Sequence, residues 1–192
     1  MKTKNFLYFK IWLALIIFLI IFTNCVKRPD VTFNNPYDPQ GINYNSPFNA
    51  IKIASASEQS FALKSDGTLW ATGYNEDGRL GTGDNTSRNV FVQVLSGVSA
   101  IAAGRHSLAL KNDGTLWAAG ENKSGQLGTG DTNNRNVFVQ VLSGVSAIAA
   151  GWEHSLVLKS DGTLWATGRN DYGELGTGDY NNRNVFVQIY QH

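Results

Sequence analysis

The chain has 192 residues, 16% of them charged, with 20 glycines against 4 prolines. This is the size of one domain, and the composition suits a β-rich protein with many turns and excludes a disordered chain. Formal net charge is +1, but residues 1–24 hold three lysines and no acid; beyond them 13 basic residues face 15 acidic ones, which excludes the basic stripe of a nucleic-acid binder.

The first 25 residues read as a targeting segment. Lys2, Lys4 and Lys10 form a basic flank, and Ile11 to Phe22 then runs for twelve residues without a charge. That length fits the apolar core of a signal peptide and is short for a spanning helix of about 20 residues. Phe6 to Phe9 is apolar too, so an uncleaved anchor helix with Lys10 near the interface stays open. The single cysteine, Cys25, follows in Ile21-Phe22-Thr23-Asn24-Cys25. This resembles a bacterial lipoprotein processing site, with Phe22 and Asn24 where the stricter pattern has Leu and Gly or Ala. The resemblance implies cleavage before Cys25 and a lipid on its sulfur, each buried CH₂ contributing about 0.8 kcal/mol of anchoring. With either anchor the rest of the chain is expected in the cell envelope, membrane-attached and facing the periplasm or the exterior. Residues 26–49 carry all four prolines and five asparagines. Such a stretch cannot pair as a central strand and reads as an extended linker.

Residues 50–192 divide into three aligned units, 50–96, 97–143 and 144–192. Each opens on a strand of small residues, such as Val98-Ser99-Ala100-Ile101-Ala102-Ala103-Gly104, suited to a crowded inner position. A short corner follows, then a hairpin around Asp-Gly-Thr-Leu-Trp. The Asp-Gly pair predicts a type I′ turn with positive φ at both central residues. Trp70, Trp117 and Trp165 stand 47 and 48 residues apart. A Gly-rich loop comes next (Gly78 to Asp84, Gly125 to Asp131, Gly173 to Asp179), and a fourth strand beginning Asn-Val-Phe-Val-Gln closes each unit. One four-stranded antiparallel sheet per period predicts a propeller blade. The expected fold is all-β: a partial β-propeller of three four-stranded antiparallel blades, preceded by an N-terminal signal or anchor helix.

The recurring pattern G-x-x-H-S-L-x-L-x-x-D-G-T-L-W-x-x-G-x-N-x-x-G-x-L-G-x-G-D is similar to the repeat of the regulator of chromosome condensation family. The resemblance covers nearly all of residues 50–192 and implies a β-propeller, in that family commonly of about seven blades. Ala56 and Gln59 stand where the pattern has Gly and His, and Phe91, Phe138 and Phe186 stand where the family often has Pro. Three blades are too few to close a ring. The chain is therefore read as a truncated copy of a longer protein, with self-association of two chains into a six-bladed ring as the alternative.

Residues present at one offset in every unit are assigned to the scaffold: Asp66, Asp113 and Asp161 to turns, the tryptophans to the space between blades, Gly81 and Gly83 to special backbone conformations, and Arg88, Arg135 and Arg183 to ties between blades. His106 and His154 share an offset with Gln59 and are read as hydrogen-bonding to a nearby loop. No serine nucleophile motif and no Cys/His metal spacing is present, and Gly-Thr-Gly-Asp lacks the Gly-Lys-Ser/Thr of a phosphate loop. Asp131 with Asn133 and Asn134 lacks the acidic ladder of a calcium loop. The sequence thus assigns no catalytic residue, no metal and no cofactor.

What differs from unit to unit clusters at the end opposite the Asp-Gly turns. The candidate partner-binding residues are Tyr74, Arg105, Trp152, Glu153, Arg169, Tyr172 and Tyr180, of the types that dominate protein contacts. The family resemblance points the same way, since its nucleotide exchange factors, chromatin binders and a secreted β-lactamase inhibitor share protein binding through loops. An exported protein has no route to chromatin. The expected function is a membrane-anchored, non-catalytic module that binds a protein through these loops, with carbohydrate or cell-wall binding on the same aromatic platforms as the alternative.

Overall fold

The computed structural model describes residues 48–190. The predicted signal peptide, Cys25 and nearly all of the 26–49 linker lie outside the described residues.

Twelve strands form three separate four-stranded sheets, each antiparallel and in sequence order. Blade 1 holds β1 (Ala50–Ser55), β2 (Gln59–Lys64), β3 (Leu69–Gly73) and β4 (Arg88–Leu95). Blade 2 holds β5 (Val98–Ala103), β6 (His106–Lys111), β7 (Leu116–Gly120) and β8 (Arg135–Leu142). Blade 3 holds β9 (Val145–Ala150), β10 (His154–Lys159), β11 (Leu164–Gly168) and β12 (Arg183–Gln188). The described residues contain no helix, and the all-β, three-bladed expectation holds. The first strands pack on one another, β1 on β5 and β5 on β9. Their alanines and serines let these inner strands converge, as the small-residue pattern requires.

The Asp-Gly hairpin differs from expectation in its closure. Gly67 N donates to Lys64 O at 3.0 Å and Lys64 N to Thr68 O at 3.0 Å, which encloses three residues rather than two. A three-residue loop is a type I turn followed by one left-handed residue, so positive φ is required at Gly67 (79°) and not at Asp66 as well. Asp66 instead caps the turn: its Oδ1 accepts from Thr68 N at 2.9 Å and Thr68 Oγ1 at 2.7 Å. Asp113 and Asp161 repeat this.

The core lies between blades, because each sheet is apolar on both faces. Phe61, Leu63, Leu69, Ala71 and Leu80 of blade 1 bury against Val98, Ala109, Ala119 and Phe138 of blade 2. Leu108, Leu110, Leu116, Ala118 and Leu127 of blade 2 bury against Val145, Val157 and Phe186 of blade 3. Trp117 packs on the first cluster and Trp165 on the second, as the inter-blade reading requires. Each indole N–H donates to the threonine of its own turn, and a lysine ammonium lies over each ring.

The recurring arginines are not inter-blade ties. Arg88, Arg135 and Arg183 each hold the aspartate four residues earlier, at 2.6 Å, and a carbonyl in the same loop. The nearest acid is within the loop, so the charge is neutralised there. Blades are tied instead by small polar groups. Asn136 accepts from Gly83 N at 2.8 Å through its carbonyl and donates through Nδ2 to Gly83 O at 3.2 Å; Asn184 does the same at Gly130. Ser107 Oγ donates to Arg79 O and Ser155 Oγ to Gln126 O, both at 2.7 Å.

Candidate functional site

In an antiparallel four-stranded sheet the first and third connections emerge at one end. Here the corners before β2, β6 and β10 meet the loops after β3, β7 and β11: Tyr74 N donates to Glu58 O, Glu121 N to Arg105 O and Arg169 N to Glu153 O. The Asp-Gly turns lie at the other end against the blade links, with Val98 N donating to Gly67 O and Val145 N to Gly114 O. At the loop end, beside the inner strands, opens a cavity of about 670 Å³. Ala103, Gly104, Ala150 and Gly151 leave the room for it, and Glu58, Gln59, Tyr74, Asp77, Arg79, Arg105, Glu121, Lys123 and Trp152 line it.

Three guanidinium groups, one per blade, organise this end, and each lies over an aromatic ring. Arg79 stands 4.8 Å from the Tyr74 ring centre, Arg105 4.7 Å from that of Trp152 and Arg169 5.6 Å from that of Tyr172. Acids hold all three, and one of the acids, Glu153, joins Arg105 to Arg169. Arg79 holds Asp77 at 2.6 Å, with Glu58 at 3.7 Å. Arg105 crosses to blade 3, to Glu153 at 2.8 Å, and keeps Glu121 at 3.8 Å. Glu153 is shared with Arg169 at 3.4 Å, and Arg169 also holds Asp171 at 2.7 Å. Lys123 closes on Glu121 at 3.2 Å. The rim is therefore a set of flat cationic and aromatic stacks, nearly neutral overall and held in place by carboxylates.

Of the candidate residues, Tyr74, Arg105 and Trp152 line the cavity, and Glu153 joins Arg105 to Arg169 and so to Tyr172. Tyr180 is exposed on the Gly-rich loop of blade 3 near Gly173 and takes no part in the lining. The cavity also uses Arg79, Gln59 and Glu121, which were not among the candidates. Their signal was faint: Arg79 is the only arginine at an offset that holds Gln126 and Glu174 in the other units, and Gln59 replaces a histidine.

The loops are stiff. The buried Asn122 donates through Nδ2 to Thr129 Oγ1 at 3.0 Å and Asp131 O at 2.9 Å, and its Oδ1 accepts from Leu127 N at 2.9 Å. Asn75 and Asn170 repeat the pattern. Asp131 is saturated by Thr129, Asn133 N and Arg135, and the Arg135 hydrogen bond above all pulls its pKa down to about 2. Both carboxylate oxygens are thus committed to the loop rather than to a cation. No group of three or more potential metal ligands occurs among the described residues.

His106 is fully buried, and its Nε2 lies 2.6 Å from Ser155 Oγ. Ser155 donates its proton to Gln126 O, so it accepts from His106, which carries its proton on Nε2. The histidine reaches the next blade's strand as a structural donor and faces no open space. Burial first, and the neighbouring His154 second, push its pKa from 6.5 down to about 3. Below pH 6.5 the unfolded chain binds a proton there that the folded chain refuses until about pH 3. Stability is full above that window and falls as pH drops through it, by about 2 kcal/mol between pH 7 and 5. Urea denaturation at the two pH values measures this. His106→Gln, the residue blade 1 carries at this offset, should remove that part of the pH dependence; an unchanged slope would contradict the assignment.

Residues 66–110 and 113–158 match one family model of the regulator of chromosome condensation (RCC1) repeat, and residues 98–126 and 145–174 match a second model of the same repeat. No curated protein matches the chain in sequence. Among solved structures, the chain is similar to one in the crystal structure of Kap60 bound to yeast RCC1 (Prp20), at 22% identity and TM-score 0.69, over 74% of this chain and 37% of that one. It is similar to Prp20p from Saccharomyces cerevisiae, at 23% identity and TM-score 0.67, over 74% and 39%. Human WBSCR16 matches at 25% identity and TM-score 0.66, over 73% and 38%. The chain thus spans less than two fifths of the length of these structures. The two repeat models together run unbroken from residue 66 to residue 174, more than half of the sequence, over the bladed sheets described above: the chain belongs to the regulator of chromosome condensation (RCC1) repeat family.

Proposed function

We propose that this chain is a membrane-anchored, non-catalytic module of the cell envelope that binds a protein through the loop end of its blades. The observation that carries the reading is the cavity of about 670 Å³ with its rim of Arg79–Tyr74 and Arg105–Trp152 stacks. It lies at the end where the blades differ in sequence, and loops on a rigid scaffold are where recognition sits. Arginine, tyrosine and tryptophan held flat by neighbours lose little entropy on binding, which is why such residues dominate contact energies. Yeast Prp20p is described with Gsp1p and histones, and yeast RCC1 with Kap60, all of them proteins. Sugar binding is the weaker reading, because Arg105 already covers one face of Trp152. Lys2, Lys4, Lys10, the apolar run and Cys25 are what support the anchor.

Isolation of the full chain from the envelope fraction of its cells tests both halves. The chain should sediment with membranes and bring a protein with it. A Trp152→Ala/Tyr74→Ala variant should still sediment with membranes but retain at least about tenfold less of that protein. Recovery of the chain from the soluble fraction, or equal retention by the variant, would overturn the reading.

A further inference from the structure

Four buried side-chain atoms have no hydrogen-bond partner among the described residues: Gln59 Oε1, Arg79 Nε, His106 Nδ1 and Gln126 Nε2. Gln59 and Arg79 line the cavity; His106 and Gln126 do not. Gln59 is 2% exposed, and its Nε2 donates across the blade junction to Gly104 O. A carbonyl oxygen only accepts, so that bond fixes the amide and leaves Gln59 Oε1 as an acceptor without a donor. Arg79 is 6% exposed; its Nη2 holds Asp77 at 2.6 Å, and its Nε is a donor without an acceptor. Buried polar groups are normally paired, so two orphans in the wall of one cavity point to a ligand that supplies both partners.

Glu121 adds a charge to the same wall. Its side chain is 7% exposed, and neither of its cations is firmly committed to it. Arg105 stands at 3.8 Å and has a nearer acid in Glu153, at 2.8 Å. Lys123 stands at 3.2 Å on a side chain that is 71% exposed. Glu58 also lines the cavity, 3.7 Å from an Arg79 that Asp77 holds more closely. The long-range field has the same sign. The loop-end segments 56–59, 74–88, 103–106, 121–135, 150–154 and 169–183 hold ten acids against seven lysines and arginines. The Asp-Gly turns, 64–68, 111–115 and 159–163, hold three of each. The loop end is the acidic end of the blades and attracts a basic partner.

We propose that the cavity takes a lysine side chain carried on an extended segment of the protein partner. The ammonium donates to Gln59 Oε1 and Glu121, and a backbone carbonyl of the same segment accepts from Arg79 Nε. Lysine fits better than arginine because the open acceptors sit on separate side chains, which suits three independent N–H donors rather than a planar fork. A free amine would leave Arg79 Nε without an acceptor. The lysine methylenes have Trp152 and Tyr74 to pack along. This inference rests on the loop-end reading above and adds the chemistry of what enters.

Calorimetric titration of the full chain in detergent tests it. The probes are capped pentapeptides that differ only in the central residue, lysine, acetyl-lysine or norleucine, and n-butylamine alone. The lysine peptide should bind at least about tenfold more tightly than the other three. Glu121→Gln should weaken the lysine peptide at least about tenfold and leave the other probes unchanged. Glu58→Gln, on an exposed side chain, should act in the same direction and serves as the second variant; circular dichroism checks that both fold. No binding of the lysine peptide would overturn the proposal, as would equal binding of the acetyl-lysine peptide or of butylamine, or an unchanged preference in both folded variants. None of these results bears on the loop-end reading, which stands or falls on retention by the Trp152→Ala/Tyr74→Ala variant.

Discussion

Phe138→Ala should destabilise the protein by about 3–5 kcal/mol, and Phe186→Ala by a similar amount, while Phe91→Ala should cost less than half as much. The three phenylalanines have the same sequence context and occupy the same offset. What differs is how far each ring is buried: Phe138 and Phe186 are 7% and 9% exposed, Phe91 38%. Phe138 lies on Gly81 within the cluster of Phe61, Leu69 and Leu80, and Phe186 lies on Gly128 within that of Leu116 and Leu127. Removing either ring opens a cavity at a junction that also fixes the glycine loop, and the glycine has no side chain with which to refill it. With total stability of about 5–15 kcal/mol for an ordinary domain, such a loss leaves little reserve. Urea denaturation followed by tryptophan fluorescence measures all three. Equal losses would show that stability is local to each sheet rather than shared between blades.

Gly120→Ala should cost more than about 3 kcal/mol, while Gly144→Ala should cost about 1 kcal/mol. Both glycines have positive φ, 109° and 72°, so both substitutions meet backbone strain. Only Gly120 is enclosed. A Cβ there would lie 2.9 Å from His106 Cα and 3.1 Å from Arg79 Cα, between its own sheet and the loop of blade 1. A Cβ on Gly144 would meet nothing within 4 Å. Backbone cannot swing aside as a side chain can, so the enclosed site adds displacement to strain. The displacement would fall on Arg79, and cavity geometry should suffer with stability. Thermal or urea unfolding of the two variants checks the difference; equal costs would mean that the blades are looser than the contacts indicate.

Much of the fold was legible in the residues. A hairpin at a fixed period, small residues on one strand of every unit and glycines at fixed offsets specify stacked antiparallel sheets, whatever their neighbours. Repetition was also the source of the error at Arg88, Arg135 and Arg183. A contact within a blade and a contact between blades recur with the same period, so pattern alone cannot separate them. The deciding fact is that Asp84, Asp131 and Asp179 reach these arginines within their own loops. The hairpin closure was missed for a related reason, since Asp-Gly serves both two-residue and three-residue turns and the hydrogen bond from Lys64 N to Thr68 O chooses between them.

At the candidate site, chain topology was enough to bring Tyr74, Arg105 and Trp152 to one end, because strand order dictates which connections share a side. Arg79 was less visible. It is nearly buried, and its importance comes from Tyr74, Asp77 and Glu58 closing around it, which are tertiary contacts. The bridge from Arg105 to Glu153 crosses blades and is likewise invisible to local pattern.

The central claim is that this chain meets its partner at the loop end and not at the Asp-Gly end. The most direct test places a photo-crosslinking amino acid at position 152 in one full-length variant and at position 113, on the Asp-Gly turn of blade 2, in another. Each variant is irradiated in its own cells. The account predicts a discrete protein adduct from position 152 and none from position 113; an adduct from position 113, or none from either, would contradict it.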